Sequence, residues 1–189
     1  MMNSYGRNDG ALHDLPIIEN IQESIESLFD FYTNKHNKVL VIRFDVRYPN
    51  SDGICVTSKN ISNFIAYLVK KYKRKGYDPY YIWVKEQNTS SHPHYHFTLF
   101  LNGNKVKYGY QFLAVIEDIW GRTINCDESG LIFYCDDFML RRNEANYDQK
   151  VYDASFCVSY LAKEHGKNHE GNTRNFGMSR LQNPKKKDG

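Results

Sequence analysis

The segment His94-Tyr95-His96-Phe97-Thr98-Leu99-Phe100-Leu101 constrains the fold most strongly. Side chains alternate across a β-strand with a period of two residues. Tyr95, Phe97, Leu99 and Leu101 therefore share one face, and all have apolar bodies. His94, His96, Thr98 and Phe100 share the other. A strand divided in this way belongs to a sheet with one helix-covered apolar face. Its histidine-bearing face is left for chemistry.

The rest of the chain supplies the covering elements. Ile17, Ile18, Ile21, Ile25, Leu28, Phe29 and Tyr32 recur at helical spacing and predict a helix over 15–36. The run KVLVIRFDVRY, 38–48, is β-branched and apolar, and Pro49 stops it; it reads as a central strand. A second helix is predicted over 58–75. Ser58 is its cap, Ile61, Phe64, Ile65, Leu68, Val69 and Tyr72 form its buried stripe, and its last turns are basic. Strands follow over 80–86 and 94–101, joined as a hairpin. A helix is predicted over 110–120, a strand over 130–135, and a last helix over 153–165 capped by Asp153. After the first helix the order is β-α-β-β-α-β-α. Its first six elements match an α+β, ferredoxin-like split βαβ arrangement, an antiparallel sheet with two helices on one face. The N-terminal helix and the last, tyrosine-bearing helix then lie over the opposite, active face.

Composition narrows the class. The 189 residues fit one domain, and Lys+Arg 25 against Asp+Glu 22 leaves a formal charge of only +3. That excludes a wholly basic nucleic-acid coat but not a local basic patch. A hydrophobic content of 41% excludes a disordered chain. Cys55, Cys126, Cys135 and Cys157 form no C-x-x-C pair, which argues against a zinc ribbon. The polar start has no signal-peptide core, and no apolar run approaches the roughly 18 residues needed to cross a bilayer. The expectation is a cytoplasmic protein with no membrane association.

Two imidazoles about 6–7 Å apart along a strand can converge on one divalent cation. Hairpin pairing would bring Glu86 beside His94 and His96. Two histidines and one carboxylate leave coordination positions open and suit Mg²⁺ or Mn²⁺ as a Lewis acid. A His92/His94 pair has the same parity, but Pro93 assigns His92 to the turn. Tyr160 and Lys163 stand three apart on the last helix, hence on one side of it. A phenol beside a metal can attack a phosphodiester, and a lysine can add a cation near the phosphate or orient metal-bound water.

With these residues in place, the chain resembles rolling-circle replication initiators of the HUH endonuclease superfamily. His94-Tyr95-His96 matches the His-hydrophobic-His motif, with Pro93 before it and Glu86 upstream. Tyr160-Leu161-Ala162-Lys163 matches the Y-x-x-K motif of the single-tyrosine class. Within the superfamily it looks most like the YagK/YfjJ and inovirus-type replication proteins. There the cues are Arg43-Phe44-Asp45-Val46-Arg47 and the Arg174–Arg180 segment RNFGMSR. The resemblance implies an N-terminal leader and helix (1–37), an HUH endonuclease domain (38–165) and a basic loop and tail (166–189). It implies that Tyr160 attacks single-stranded or hairpin DNA at a replication origin of a phage or plasmid-like element. The 5′ phosphate stays on the tyrosine, a 3′-OH is freed, and host replication proteins take over. The first strand departs from the usual signature. It places Arg43, Asp45 and Arg47 on one face, where they contact the nucleic-acid backbone or each other. Arg174 and Arg180 are further DNA-contact candidates. The clusters at 70–75, 141–142 and 185–187 are candidates for neutralising phosphates, and Tyr80, Tyr81 and Tyr95 either stack on bases or fill the core.

Three rivals stand beside this reading. A two-histidine phosphoesterase is rejected, because His96-Phe97-Thr98 has no second H-x-[S/T]. A small tyrosine transposase or relaxase of the same superfamily shares the motifs. A non-catalytic DNA-binding module on the same fold would make Tyr160 dispensable.

Overall fold

The computed structural model describes residues 16–50, 54–87, 92–163 and 175–182. In chain order they form α1 (Glu19–Lys35), β1 (Lys38–Val46), α2 (Ser58–Arg74), β2 (Tyr80–Glu86) and β3 (His94–Asn102). A 3-10 turn, Tyr110–Phe112, then leads into α3 (Leu113–Ile124), which is followed by β4 (Ile132–Arg141) and α4 (Tyr147–Ser159). A second 3-10 turn, Tyr160–Ala162, and β5 (Phe176–Met178) complete the order. The fold is α+β. Its sheet runs β4-β1-β3-β2-β5, and every neighbouring pair is antiparallel.

Strand alternation sorts the apolar side chains into two cores. Leu40, Ile42, Phe44 and Val46 of β1 and Tyr95, Phe97, Leu99 and Leu101 of β3 face α2 and α3. Phe44 stacks on Phe97 with centroids 4.9 Å apart, and Phe64 meets Trp120 edge-on at 5.5 Å. Val39, Val41, Ile82, Val84, Phe100 and Leu140 face the other way, against α1 and α4. α1 contributes Ile21, Ile25, Leu28, Phe29 and Tyr32, a stripe at helical spacing. The apolar face of the His94–Leu101 strand is therefore covered as its alternation predicts. The histidine face is capped by α1 and α4 over most of its length.

Several boundaries differ from expectation. The last helix begins at Tyr147, not Asp153, because Tyr147 and Val151 already pack on the second core. Asp153 is no cap; it is exposed in mid-helix and accepts a 2.9 Å hydrogen bond from Gln149. The helix also stops early, so Tyr160 lies in a 3-10 turn and Lys163 is already extended, bridged to Ile17. Ser58 is the first helical residue and Thr57 holds the cap position. β4 runs to Arg141 rather than Cys135. Asp136 and Asp137 interrupt its apolar pattern, but the Asp137 carboxylate accepts the Gly109 N–H. β5 is three residues long, too short to carry a periodic signal. It pairs with the edge of β2, where a Cβ on Gly177 would stand 2.9 Å from Trp83 Nε1. Tyr80 and Tyr95 are core residues, and Tyr81 stacks on Phe97.

Candidate functional site

The polar residues of the second face gather where β1 and β2 end and β3 begins. Asp45 and Val84 flank His96 in register, and Glu86 lies opposite His94. Directly opposed residues of antiparallel strands project to the same side. His96, Asp45 and Glu86 are thus brought together by backbone pairing alone. His96 Nδ1 stands 2.7 Å from Asp45 Oδ1, and its Nε2 stands 2.6 Å from Glu86 Oε2. Both carboxylates and the imidazole are largely buried.

Electrostatics follow from that clamp. Burial pulls the His96 imidazole down, but bonds and charges from Asp45 and Glu86 outweigh it and raise its pKa. Burial pushes Asp45 up, and His96 with Arg43 then holds it below the ordinary carboxylate range. His94 is half-buried, and burial and the Arg47 charge lower its pKa, so it stays a neutral imidazole near pH 7.

Tyr160 reaches the same side of the sheet. Its ring meets the His96 ring edge-on, with centroids 5.7 Å apart. The Arg43 guanidinium lies over the Tyr160 ring, 4.7 Å from its centroid. Burial and the Glu86 charge raise the phenol's pKa, while Arg43 opposes them. Cys135, in the β4 register shift beside Arg43, is no rival nucleophile: burial and Asp45 push its thiol up to about 12.

The predicted site residues separate into groups. His96, Glu86 and Tyr160 stand together, and His94 joins them by register. Lys163 is buried just past the tyrosine turn. Arg43 and Asp45 are buried parts of the site itself, Arg43 on the phenol and Asp45 on the imidazole, and the Arg43 charge also acts on Asp45. Arg47 is exposed and lies over the Phe133 ring. Arg180 is exposed beyond β5, and Arg174 falls outside the described residues. His92 is not part of the cluster. Its ring lies 5.9 Å from Tyr48, which packs on Trp120 in the first core. The role of Asp45 on His96 had one signal in the sequence: an acid in an otherwise apolar central strand, at the parity of the histidine face.

The donor chemistry can be tested against a divalent cation. Among the described residues, no three His, Cys, Asp or Glu side chains form a ready cage. The facing pair His96 Nε2 and Glu86 Oε2 is nevertheless a nitrogen–oxygen donor pair held by a proton. The Asp45 bond on Nδ1 is the support that a metal-binding imidazole ordinarily has. A cation replacing that proton, with neutral His94 adjacent, fits these residues.

The arrangement defines an α+β protein with a carboxylate–imidazole–carboxylate row beside a phenol. The chain belongs to the YagK/YfjJ C-terminal domain family, whose model matches residues 2–179. It is 26% identical to the uncharacterized protein YagK of Escherichia coli (strain K12), over 90% of this chain and 96% of that protein. No solved structure matches the chain. No helix among the described residues is long and apolar enough to cross a membrane.

Proposed function

We propose that the chain is a metal-dependent, site-specific single-strand DNA endonuclease and strand transferase of the HUH type. It initiates rolling-circle replication of a phage or plasmid-like element in the cytoplasm. One observation carries this reading: the Tyr160 ring and the Glu86-clamped His96 ring are in contact on one side of the sheet. The strand order β4-β1-β3-β2, with α2 and α3 on one face, supports a ferredoxin-like split βαβ core with β5 added at its edge.

A Mg²⁺ or Mn²⁺ ion held by Glu86, His94 and His96 would polarise the scissile phosphate and offset charge in the transition state. The Tyr160 Oη attacks phosphorus. Its O–P bond forms as the bond to the 3′ oxygen breaks, the phenol proton is released, and the departing 3′ oxygen takes one up. The reverse attack by a 3′-OH reseals the strand. Arg43 holds the ring and favours its anionic form. Lys163 supplies a further cation near the phosphate. The substrate is single-stranded or hairpin origin DNA, handed on to host replication proteins.

The test is incubation of the full chain with origin-type oligonucleotides and Mn²⁺, read by gel for a covalent adduct. Tyr160→Phe should abolish the adduct, and His94→Ala with His96→Ala should cut it sharply. A transposase or relaxase of the same superfamily would give the same adduct and differ in the DNA it joins. A second reading, a non-catalytic DNA-binding module, is favoured by one feature: both His96 nitrogens already face carboxylates. It predicts binding without adduct on every substrate, with Tyr160→Phe neutral.

A further inference from the structure

The opposite end of the sheet carries a second polar concavity. A cavity of about 580 Å³ is lined by Asn37, Lys38, Asn104, Arg141, Arg142 and Asn143. Three of these are cations and three are amides; none is a carboxylate. Lys38 and Arg141 are direct cross-strand partners of β1 and β4, so both project to the same face. Like charges placed opposite one another repel. Glu144 compensates this pair only in part: its carboxylate is 3.4 Å from Arg141 Nη1 but 2.6 Å from Lys150 Nζ.

The rim is built around these charges. Arg142 donates to the Thr33 carbonyl, which ties it to α1. Asn104 Nδ2 donates to Asn37 Oδ1 at 3.0 Å. A Cβ on Gly103 would stand 2.7 Å from Lys38 Cγ, so the bare glycine lets the turn close on the lysine stem.

We propose that this cavity is an anchoring site for a DNA backbone phosphate, separate from the Tyr160 site. Guanidinium, ammonium and amide N–H groups are the donors that phosphate oxygens take. Lys38 and Asp45 lie seven residues apart on β1, a span of about 23 Å at roughly 3.3 Å per residue; an odd separation puts them on opposite faces, so the anchor stands at the far end of the sheet and on its α2/α3 side. Only the choice of DNA as the phosphate's source rests on the reading above; free phosphate has the same chemistry.

The experiment measures binding of the full chain to a 30-nucleotide hairpin, without metal, across a salt series. Lys38→Gln/Arg141→Gln should weaken the 30-mer about tenfold and make its log–log salt slope shallower by about 1.4–1.8. Lys59→Gln/Arg122→Gln, an equal charge change elsewhere, should have a smaller effect. An unaffected 30-mer, or an equal loss in that control, overturns the proposal. So does inorganic phosphate shifting the NMR signals of the cavity while 30-mer binding ignores the substitutions. Because no cleavage is read, an anchor that persists when Tyr160 forms no adduct would sink the nicking reading alone.

Discussion

At the scale of single residues, Asp45 decides the state of His96. Its carboxylate holds Nδ1 and so directs Nε2 toward Glu86. Asp45→Asn keeps the shape but removes the charge. The expected outcome is an adduct needing about 10- to 100-fold more Mn²⁺, with circular dichroism unchanged. Asp78 offers a cleaner pH test, away from the site. Burial pushes its carboxyl up, but bonds from Lys35 and His36, both 2.7 Å, outweigh this and lower it. A depressed folded value adds stability that is fully present above the unfolded value, about 3.9, and is lost as pH falls below it. Asp78→Asn suits the backbone, since φ is +50° there and asparagine tolerates that region. It should lower the urea midpoint at pH 7 by no more than about 1 kcal/mol equivalent, because solvent reaches the pair. The gap from the parent protein should close as pH falls below about 4.

At the scale of elements, β5 and the tyrosine turn are set by what they pack on. β5 has only three residues, FGM, too short for a periodic signal. It forms because its glycine lets Trp83 approach and because flanking bonds extend the pairing. Lys85 N donates to the Asn175 carbonyl at 2.7 Å, and Ser179 N to the Tyr81 carbonyl at 2.9 Å. Gly177→Ala should cost about 1–3 kcal/mol through overpacking. Hydrogen exchange should speed up at the Lys85 and Ser179 amides and stay slow at those of β3. The tyrosine turn was legible as residues, Tyr160 and Lys163 on one side, but not as geometry. The apolar stripe marked a helix, whereas the chain tightens to 3-10 and leaves at Lys163 to meet Ile17.

At the scale of the whole molecule, the N-terminal helix is a wall of the second core. Ile21, Ile25, Leu28, Phe29 and Tyr32 are all buried there, and the Ile18 N–H donates to the Ala162 carbonyl at 2.8 Å. Each such side chain contributes about 1.5–3 kcal/mol of burial. Their sum is comparable to a domain's entire stability of about 5–15 kcal/mol. Removing residues 1–36 should therefore abolish cooperative thermal unfolding by calorimetry, not merely weaken the site.

Local pattern by itself determined the elements that repeat a period over several turns or pleats: α1, α2, β1, the β2–β3 hairpin, and the face on which His94 and His96 stand. Those signals are written in neighbouring residues. Pairing across the sheet decided the rest. Asp45 meets His96 across 51 positions of chain, and Arg43 meets Tyr160 across more than twice that separation. An acid or a guanidinium in a strand carries no local mark of its partner. Only strand register and the seating of α4 bring them within bonding reach.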